Sequence, residues 1–181
     1  DRRQRQMCIR DSITRMPGCC ICISTADCIP VLLYDRQRRI VAAVHAGWRG
    51  TVNRILAKTL HRMQSAYGTE GTDVIACIGP GISLDSFEVG DEVYEAFRTE
   101  NFPMEYISVW KPETHKYHID LWAANRLQLS DFGVPSRQIE NAGICTYRQH
   151  EDFFSARRLG IKSGRILSGI MLNGQEKGER K

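Results

Sequence analysis

Cys28 and His45 are the residues whose types and positions could most readily do chemistry together. Each stands at an end of a short apolar segment, and only a polar turn at residues 35–39 separates the two segments. Such segments are expected to pair as a hairpin, which would bring both side chains to the same region. A thiolate and an imidazole held together can bind zinc, or the imidazole can keep the thiol deprotonated as a nucleophile. The sequence therefore predicts a shared site.

Three charged residues are further candidates for this site. Arg49 follows His45 closely, and a guanidinium can bind phosphate through two parallel hydrogen bonds. Arg157 is a second candidate for substrate or phosphate recognition. A surface salt bridge is the alternative for either arginine. Asp27 could orient His45 or stabilise positive charge, or it could instead cap the adjoining backbone.

Length and composition indicate one ordinary globular domain. The chain has 181 residues, of which 42% are hydrophobic and 25% charged, and a chain of this size can bury a substantial core. No apolar run is long enough for a membrane span, and the charged first residues do not resemble a signal peptide. The net charge of +4 is mild, and no basic stretch is interleaved with aromatic residues. We therefore expect neither a nucleic acid nor a membrane as partner.

The seven cysteines favour reduced thiols, because an odd count in a chain of this size does not suit a disulfide scaffold. A cytoplasmic location is the natural expectation. Cys19, Cys20 and Cys22 form a C-C-x-C sequence that lacks the paired spacing of a zinc knuckle. They are expected to be buried strand cysteines.

The apolar patterns predict a mixed α+β fold, with β-sheets flanked by helices in two related strand-helix-strand halves. A helical period begins at Thr51 and ends before Gly68, a short helix starts near Asp91, and a third follows Asp120 as its N-cap. The glycine-rich sequence at residues 79–81 lacks the lysine of a P-loop and is expected to be a turn. Strands are predicted at residues 19–24, 29–34, 40–45, 73–78, 106–110, 139–145 and 165–172.

Several motifs in one order resemble the multicopper polyphenol oxidase or laccase-domain family, whose YfiH-like members are identified as purine nucleoside phosphorylases. The match extends over about residues 13–172. The motifs are TADCIPVLLYD (25–35), VAAVHAGWRGT (41–51), IGPGI (78–82), FEVG (87–90), Asp120-Leu121 with Asn125 and Leu129, Cys145-Thr146, FFSARR (153–158) and Gly164-Arg165.

The resemblance implies a laccase-domain fold, similar to cysteine hydrolases, and phosphorolysis of adenosine, inosine or guanosine. Adenosine deamination and methylthioadenosine phosphorolysis by the same site are further implied activities. A purine nucleoside and phosphate would be the small-molecule partners, and we expect a monomer or weak homodimer. Alternatives are a zinc or cysteine amidohydrolase that edits peptidoglycan precursors, an inactive fragment, and a polyphenol oxidase. Five histidines make multicopper oxidation the weakest of these.

One feature of the family has no counterpart in this sequence. Family members usually carry an upstream Gln-Val-His-Gly segment whose histidine completes a Cys/His/His metal site, and no histidine precedes Cys28 here. We therefore expect residues 13–173 to be a catalytic domain without its N-terminal segment, between a disordered or non-native leader (1–12) and a mobile tail (174–181). Cys28 and His45 would be the metal ligands, with zinc favoured over copper.

Overall fold

A computed structural model describes residues 11–160 and 162–174 of the chain. It confirms the mixed α+β architecture. The strands are β1 (Asp11–Thr14), β2 (Cys20–Thr25), β3 (Ile29–Asp35), β4 (Ile40–Ala46), β5 (Val74–Ile78), β6 (Glu88–Val89), β7 (Ser108–Lys111), β8 (Lys116–Ile119), β9 (Ile139–Asn141) and β10 (Ile166–Met171). The helices are α1 (Trp48–Val52), α2 (Ile55–Tyr67), α3 (Asp91–Thr99), α4 (Met104–Ile107), α5 (Leu121–Asp131) and α6 (Ala156–Leu159).

The hairpin predicted around the polar turn forms the centre of a five-stranded sheet of order β1-β4-β3-β5-β9. β3 and β4 are antiparallel, with Ile29 opposite Ala46 and Asp35 opposite Ile40. The carboxylate of Asp35 accepts hydrogen bonds from the backbone N–H groups of Gln37 (3.0 Å) and Arg38 (2.9 Å) and thereby fixes the turn. This register places the start of β3 beside the end of β4, and the candidate site lies at that end of the hairpin.

Both faces of β4 are covered, which explains why its sequence is apolar at almost every position. Ala42 and Val44 belong to the main core, which the helices complete. Val41 and Ala43 belong to a smaller core beneath a two-stranded antiparallel sheet of β10 and β2. A strand buried on both faces loses the polar alternation of a half-exposed strand.

Two helices occupy the region after His45, where a single helix from Thr51 was expected. The break is at Arg54, whose φ of 56° lies in the left-handed region. The guanidinium of Arg54 lies over the Phe102 ring, with 3.7 Å from Cζ to the ring centroid. It also donates a hydrogen bond to the Glu100 carbonyl oxygen at 3.0 Å. These tertiary contacts stabilise a backbone conformation that the helical period does not indicate. Gly68 ends α2 in the left-handed conformation, as predicted.

A three-stranded sheet of order β6-β8-β7 lies in the second half of the chain. The short helix from Asp91 is confirmed as α3, and Asp120 is confirmed as the N-cap of α5, because its carboxylate accepts from the Ala123 N–H at 2.9 Å. The strand predicted at residues 106–110 is wrong at its start, since α4 occupies the positions up to Ile107. The predicted strand at 139–145 ends early, at Asn141, whose side chain accepts from the Gly143 N–H at 3.0 Å.

Two expectations about the first part of the chain need correction. Asp11 and Ser12 were assigned to a leader, but they pair with Val44 and Ala43 in β1, so the folded part begins earlier. Cys20 is exposed, and Cys19 and Cys22 are only partly buried, so they are not buried strand cysteines. The reason is that only one face of the two-stranded sheet is covered: Ile21 and Ile23 enter the core from that face, whereas Cys20 and Cys22 lie on the other. The leader's residues 1–10 and the tail's residues 175–181 lie outside the described residues.

Candidate active site

The hairpin brings Cys28 and His45 to the same end of the five-stranded sheet. Cys28 immediately precedes β3, and His45 is the next-to-last residue of β4, opposite Pro30. Both side chains are partly buried. The backbone after His45 turns at Gly47, which is the N-cap of α1. The predicted proximity of the thiol and the imidazole therefore follows from the register of two adjacent strands.

Gly47 lies against both of these side chains. A Cβ atom built on Gly47 would lie 2.8 Å from the sulfur of Cys28 and 3.9 Å from Nε2 of His45. The sulfur and the imidazole nitrogen are thus within 4 Å of one common point. A side chain at position 47 would occupy the space where the two groups converge. Glycine leaves this space free of a side chain.

A cavity of about 190 Å³ is present at this point, and Arg49 lines it. Its lining residues are Cys28, His45, Gly47, Trp48 and Arg49. The guanidinium of Arg49 lies over the indole ring of Trp48, with 4.3 Å from Cζ to the ring centroid. Stacking on an aromatic ring orients a guanidinium while its N–H groups stay available at the edge. The cavity therefore combines a thiol, an imidazole and a positioned cation.

Asp27 has a strained backbone beside the site, with φ at 77°. Its carboxylate accepts hydrogen bonds from the Thr146 hydroxyl (2.8 Å) and from the Arg157 backbone N–H (2.6 Å), and its carbonyl oxygen accepts from the Ile82 N–H (2.9 Å). Neither partner of the carboxylate belongs to the adjoining backbone, because Thr146 and Arg157 are 119 and 130 positions from Asp27. The three hydrogen bonds tie three distant segments to the turn from which Cys28 projects.

The glycine-rich loop supports the same turn from the other side. Gly79 donates its N–H to the Pro30 carbonyl oxygen at 2.8 Å, and a Cβ atom at Gly79 would lie 2.8 Å from the Pro30 ring. At Gly81 a Cβ atom would lie 3.0 Å from the Asp27 carbonyl oxygen. A side chain at position 79 would clash with the Pro30 ring, and one at position 81 would press on the Ile29 side chain and the Asp27 carbonyl oxygen. The expected turn is instead a bend at Pro80 between two tertiary contacts, since Gly79 donates to Pro30 and Gly81 forms an isolated parallel bridge with Cys145.

Arg157 lies in a second cavity, of about 490 Å³, and is not among the lining residues of the first. Its side chain donates to the Glu88 carbonyl oxygen at 2.9 Å and lies over the Phe87 ring. The structure therefore brings Cys28, His45 and Arg49 together and links Arg157 to them through the carboxylate of Asp27. The second cavity is lined by Asp85, Ser86, Glu88, His118, Tyr147, Arg148 and Arg157.

The sequence pattern predicts no role for His118 or, beyond its motif, for Cys145. His118 is 7% exposed and lies between the Leu84 carbonyl oxygen (3.0 Å from Nδ1) and the Glu88 carboxylate (3.8 Å from Nε2). Burial raises the pKa of the Cys145 thiol, but hydrogen bonds with Ser83 and Ser86 outweigh burial and lower that pKa overall. No local sequence signal places Ser83, which is 62 positions away, beside this sulfur.

Cys28 and His45 are chemically suited to zinc, which prefers thiolate and imidazole ligands. A catalytic zinc site uses three protein ligands and one open position. Among residues 11–160 and 162–174, no group of three or more histidine, cysteine, aspartate or glutamate side chains could hold a metal ion. The described residues therefore offer two ligands and do not by themselves complete such a site.

Comparison with known proteins identifies the family. Residues 6–173 match the model of the family described as multi-copper polyphenol oxidoreductase laccase. The chain belongs to this family. A purine nucleoside phosphorylase from Bacteroides thetaiotaomicron is 66% identical over 161 residues, which are 89% of this chain and 60% of that protein. The adenosine deaminase RL5, from an unknown prokaryotic organism, is 49% identical over 87% of this chain and 60% of its own length.

The fold of this laccase-family chain is also found in solved structures. The Bacillus licheniformis hypothetical protein YfiH aligns with a TM-score of 0.85 and 32% sequence identity, over 91% of this chain and 61% of that one. The chain thus spans about 60% of the length of the curated relatives that it matches. In the described part of the chain, no helix is long and apolar enough to cross a membrane.

Proposed function

We propose that this laccase-family chain contributes to phosphorolysis of purine nucleosides at the cavity lined by Cys28, His45 and Arg49. The convergence of the thiol, the imidazole and the stacked guanidinium on this one cavity carries the proposal. The relatives support the substrate class, since one that is 66% identical is named a purine nucleoside phosphorylase. The small-molecule partners would be a purine nucleoside and phosphate.

Phosphorolysis requires a cation for phosphate, stabilisation of a positively charged ribose, and protonation of the departing base. A phosphate oxygen forms a bond to the anomeric carbon of ribose, the glycosidic bond breaks, and its electron pair leaves with the purine. Arg49 is assigned to phosphate, because its guanidinium is exposed and is oriented by Trp48. His45 is assigned the proton donated to the leaving purine, a role that general acids of suitable pKa perform.

Cys28 is assigned a hydrogen-bonding or metal-binding role beside His45. If zinc is the bound metal, Cys28 and His45 supply two of its ligands, and the third lies outside the described residues. The metal would act as a Lewis acid on the substrate. Zinc is favoured over copper because one thiolate and one imidazole suit its usual ligand sets.

The test is phosphate-dependent release of hypoxanthine from inosine by this chain, with bound zinc quantified in each sample. His45→Ala should lower turnover by about 10²-fold or more, the typical contribution of a general acid. Cys28→Ala should also lower turnover, and Arg49→Gln should raise the KM for phosphate. Matched controls are Cys77→Ala and His61→Ala, since both residues are exposed outside the cavity.

The outcome separates the proposal from its alternatives. Turnover without phosphate, or turnover that Cys28→Ala and His45→Ala leave unchanged, would contradict the proposed site. A folded chain that releases no hypoxanthine would contradict the assignment of the activity to the residues of this chain.

Adenosine deamination is the second candidate function for the same cavity. The 49% identical relative is named adenosine deaminase RL5, and an imidazole beside a thiol could activate water for attack on the purine. Release of ammonia from adenosine in the absence of phosphate measures this activity. If His45→Ala abolishes phosphorolysis but leaves deamination intact, the two activities do not share the proposed site.

A further inference from the structure

The outer face of the two-stranded sheet carries three sulfur-containing side chains. Cys20 and Cys22 are two positions apart on β2, so they project from the same face, and their sulfur atoms are 3.5 Å apart. Met171 of β10 is directly opposite Cys20 in the antiparallel register, and directly opposed residues share a face. Cys20 and Met171 are exposed, and Cys22 is partly so. These three residues are called the sulfur cluster below.

Gly169 of β10 leaves room for the two cysteine sulfurs above the opposite strand. It is the register partner of Cys22. A Cβ atom at Gly169 would lie 2.7 Å from the Cys22 sulfur and 3.2 Å from the Cys20 sulfur. Both sulfurs therefore lean over the backbone of β10, toward the strand that carries Met171. Any larger residue at position 169 would push the two sulfurs away from this position.

The distance between the sulfurs suits shared binding of one metal ion. Two thiolates at about 2.3 Å from one metal ion, with a tetrahedral angle between them, lie about 3.8 Å apart. The observed 3.5 Å needs only a small side-chain rotation to reach that value. A disulfide suits the backbone less well, because residues two apart on an extended strand have Cα atoms about 6.6 Å apart, near the upper limit for the bond.

The ligand types select the metal. Thiolate and thioether sulfurs are soft ligands, which favour Cu(I), whereas imidazole and carboxylate ligands suit harder divalent ions. The remaining register positions on this face of the two strands are Ser24 and Leu167, which add neither imidazole nor carboxylate. We propose that Cys20, Cys22 and Met171 form a binding site for Cu(I), separate from the cavity of Cys28 and His45.

The test measures Cu(I) binding by the reduced chain without oxygen, in competition with a coloured Cu(I) chelator. One equivalent of Cu(I) should be retained against the chelator. Cys20→Ser and Cys22→Ser should each lose this equivalent, and Met171→Leu should release it at lower chelator concentration. Cys77→Ser is the matched control, because Cys77 is an exposed cysteine on β5. Cys28→Ser tests whether the other candidate site takes the ion.

Gly169→Ala tests the geometry without removing a ligand atom. It should weaken Cu(I) retention, because a new methyl group would displace both cysteine sulfurs. X-ray absorption of the Cu(I)-loaded chain should show sulfur neighbours alone, at about 2.3 Å. Circular dichroism of each variant verifies that it remains folded.

Three results would overturn the proposal. The first is that folded Cys20→Ser and Cys22→Ser variants still retain Cu(I). The second is that Cys28→Ser loses Cu(I) although the sulfur cluster is intact. The third is that the X-ray absorption spectrum shows nitrogen neighbours of the copper ion. Equal retention of Zn²⁺ and Cu(I) by the unmodified chain would also contradict the selection for a soft monovalent ion. None of these measurements depends on nucleoside turnover, so failure of the proposed function would leave them interpretable.

Discussion

Replacing Gly47 with alanine places one methyl group at the point where Cys28 and His45 converge. The new Cβ atom would lie 2.8 Å from the Cys28 sulfur, whereas ordinary contacts begin at 3.4 Å. The sulfur or the backbone must therefore move by about 0.6 Å, the difference between these two distances. The methyl group also occupies part of a cavity of only about 190 Å³. Gly47→Ala should disturb the site directly.

The magnitude follows from the sensitivity of reacting groups to position. A misplacement of about 1 Å can cost about 10²-fold in rate, so a shift of about 0.6 Å predicts a loss of about tenfold in kcat. Stability should change little. The φ of −73° and ψ of 170° at Gly47 are accessible to alanine, and such a substitution typically stabilises by about 0.4–1 kcal/mol through the unfolded chain, which offsets strain from the contact.

The assay compares unmodified chain and Gly47→Ala in three measurements: hypoxanthine release from inosine with phosphate, alkylation of Cys28 by iodoacetamide, and thermal unfolding. Turnover and alkylation should both slow, because the methyl group covers the sulfur. Gly174→Ala is the matched control, since no atom of the described residues lies within 4 Å of a Cβ built there. Unchanged turnover and unchanged alkylation in Gly47→Ala would refute the placement of the thiol and the imidazole around this glycine.

Three further predictions concern residues that hold the site or the fold in place. Asp27→Ala should lower the free energy of unfolding by about 3 kcal/mol in urea titrations, because the Thr146 hydroxyl and the Arg157 N–H lose a charged acceptor. The control is Asp131→Ala, which should change the free energy of unfolding by less than about 0.5 kcal/mol because Asp131 is exposed. Asp120→Ala should cost about 1 kcal/mol by the same method, because α5 loses its N-cap; a neutral result would contradict that capping bond. Ser83→Ala should raise the pKa of Cys145, because a hydroxyl that donates to the sulfur is removed. NMR titration of the labelled cysteine Cβ measures this pKa, and the same pKa in the variant and the unmodified chain would contradict the role of the bond.

The features that depend on neighbouring residues could be predicted from the sequence. The hairpin of β3 and β4 was predicted because two apolar runs surround a short polar turn, and turn chemistry acts over a few residues. Asp120 as an N-cap and Gly68 as a C-cap were predicted for the same reason. Placing Cys28 and His45 at one end of the hairpin required only the pairing of two adjacent strands. Their roles in catalysis stay predictions.

Features that depend on distant contacts could not be predicted in this way. The break at Arg54 is stabilised by Phe102 and Glu100, and the helical period of the local sequence gives no sign of either. The exposure of Cys20 depends on which face of the two-stranded sheet the rest of the chain covers, whereas its apolar neighbours made burial the local expectation.

The sequence by itself determined the hairpin, the approach of the thiol to the imidazole, and the motifs of the family. Only the tertiary structure decided that Asp27 binds Thr146 and the Arg157 backbone, that Arg157 lines a second cavity, and that Met171 stands opposite Cys20. The physical reason is the range of the interactions. Hydrophobic period and turn chemistry act over a few residues. Asp27 is 119 and 130 positions from its two partners, and Arg157 is 69 positions from Glu88, so only the folding of the whole chain brings these segments together.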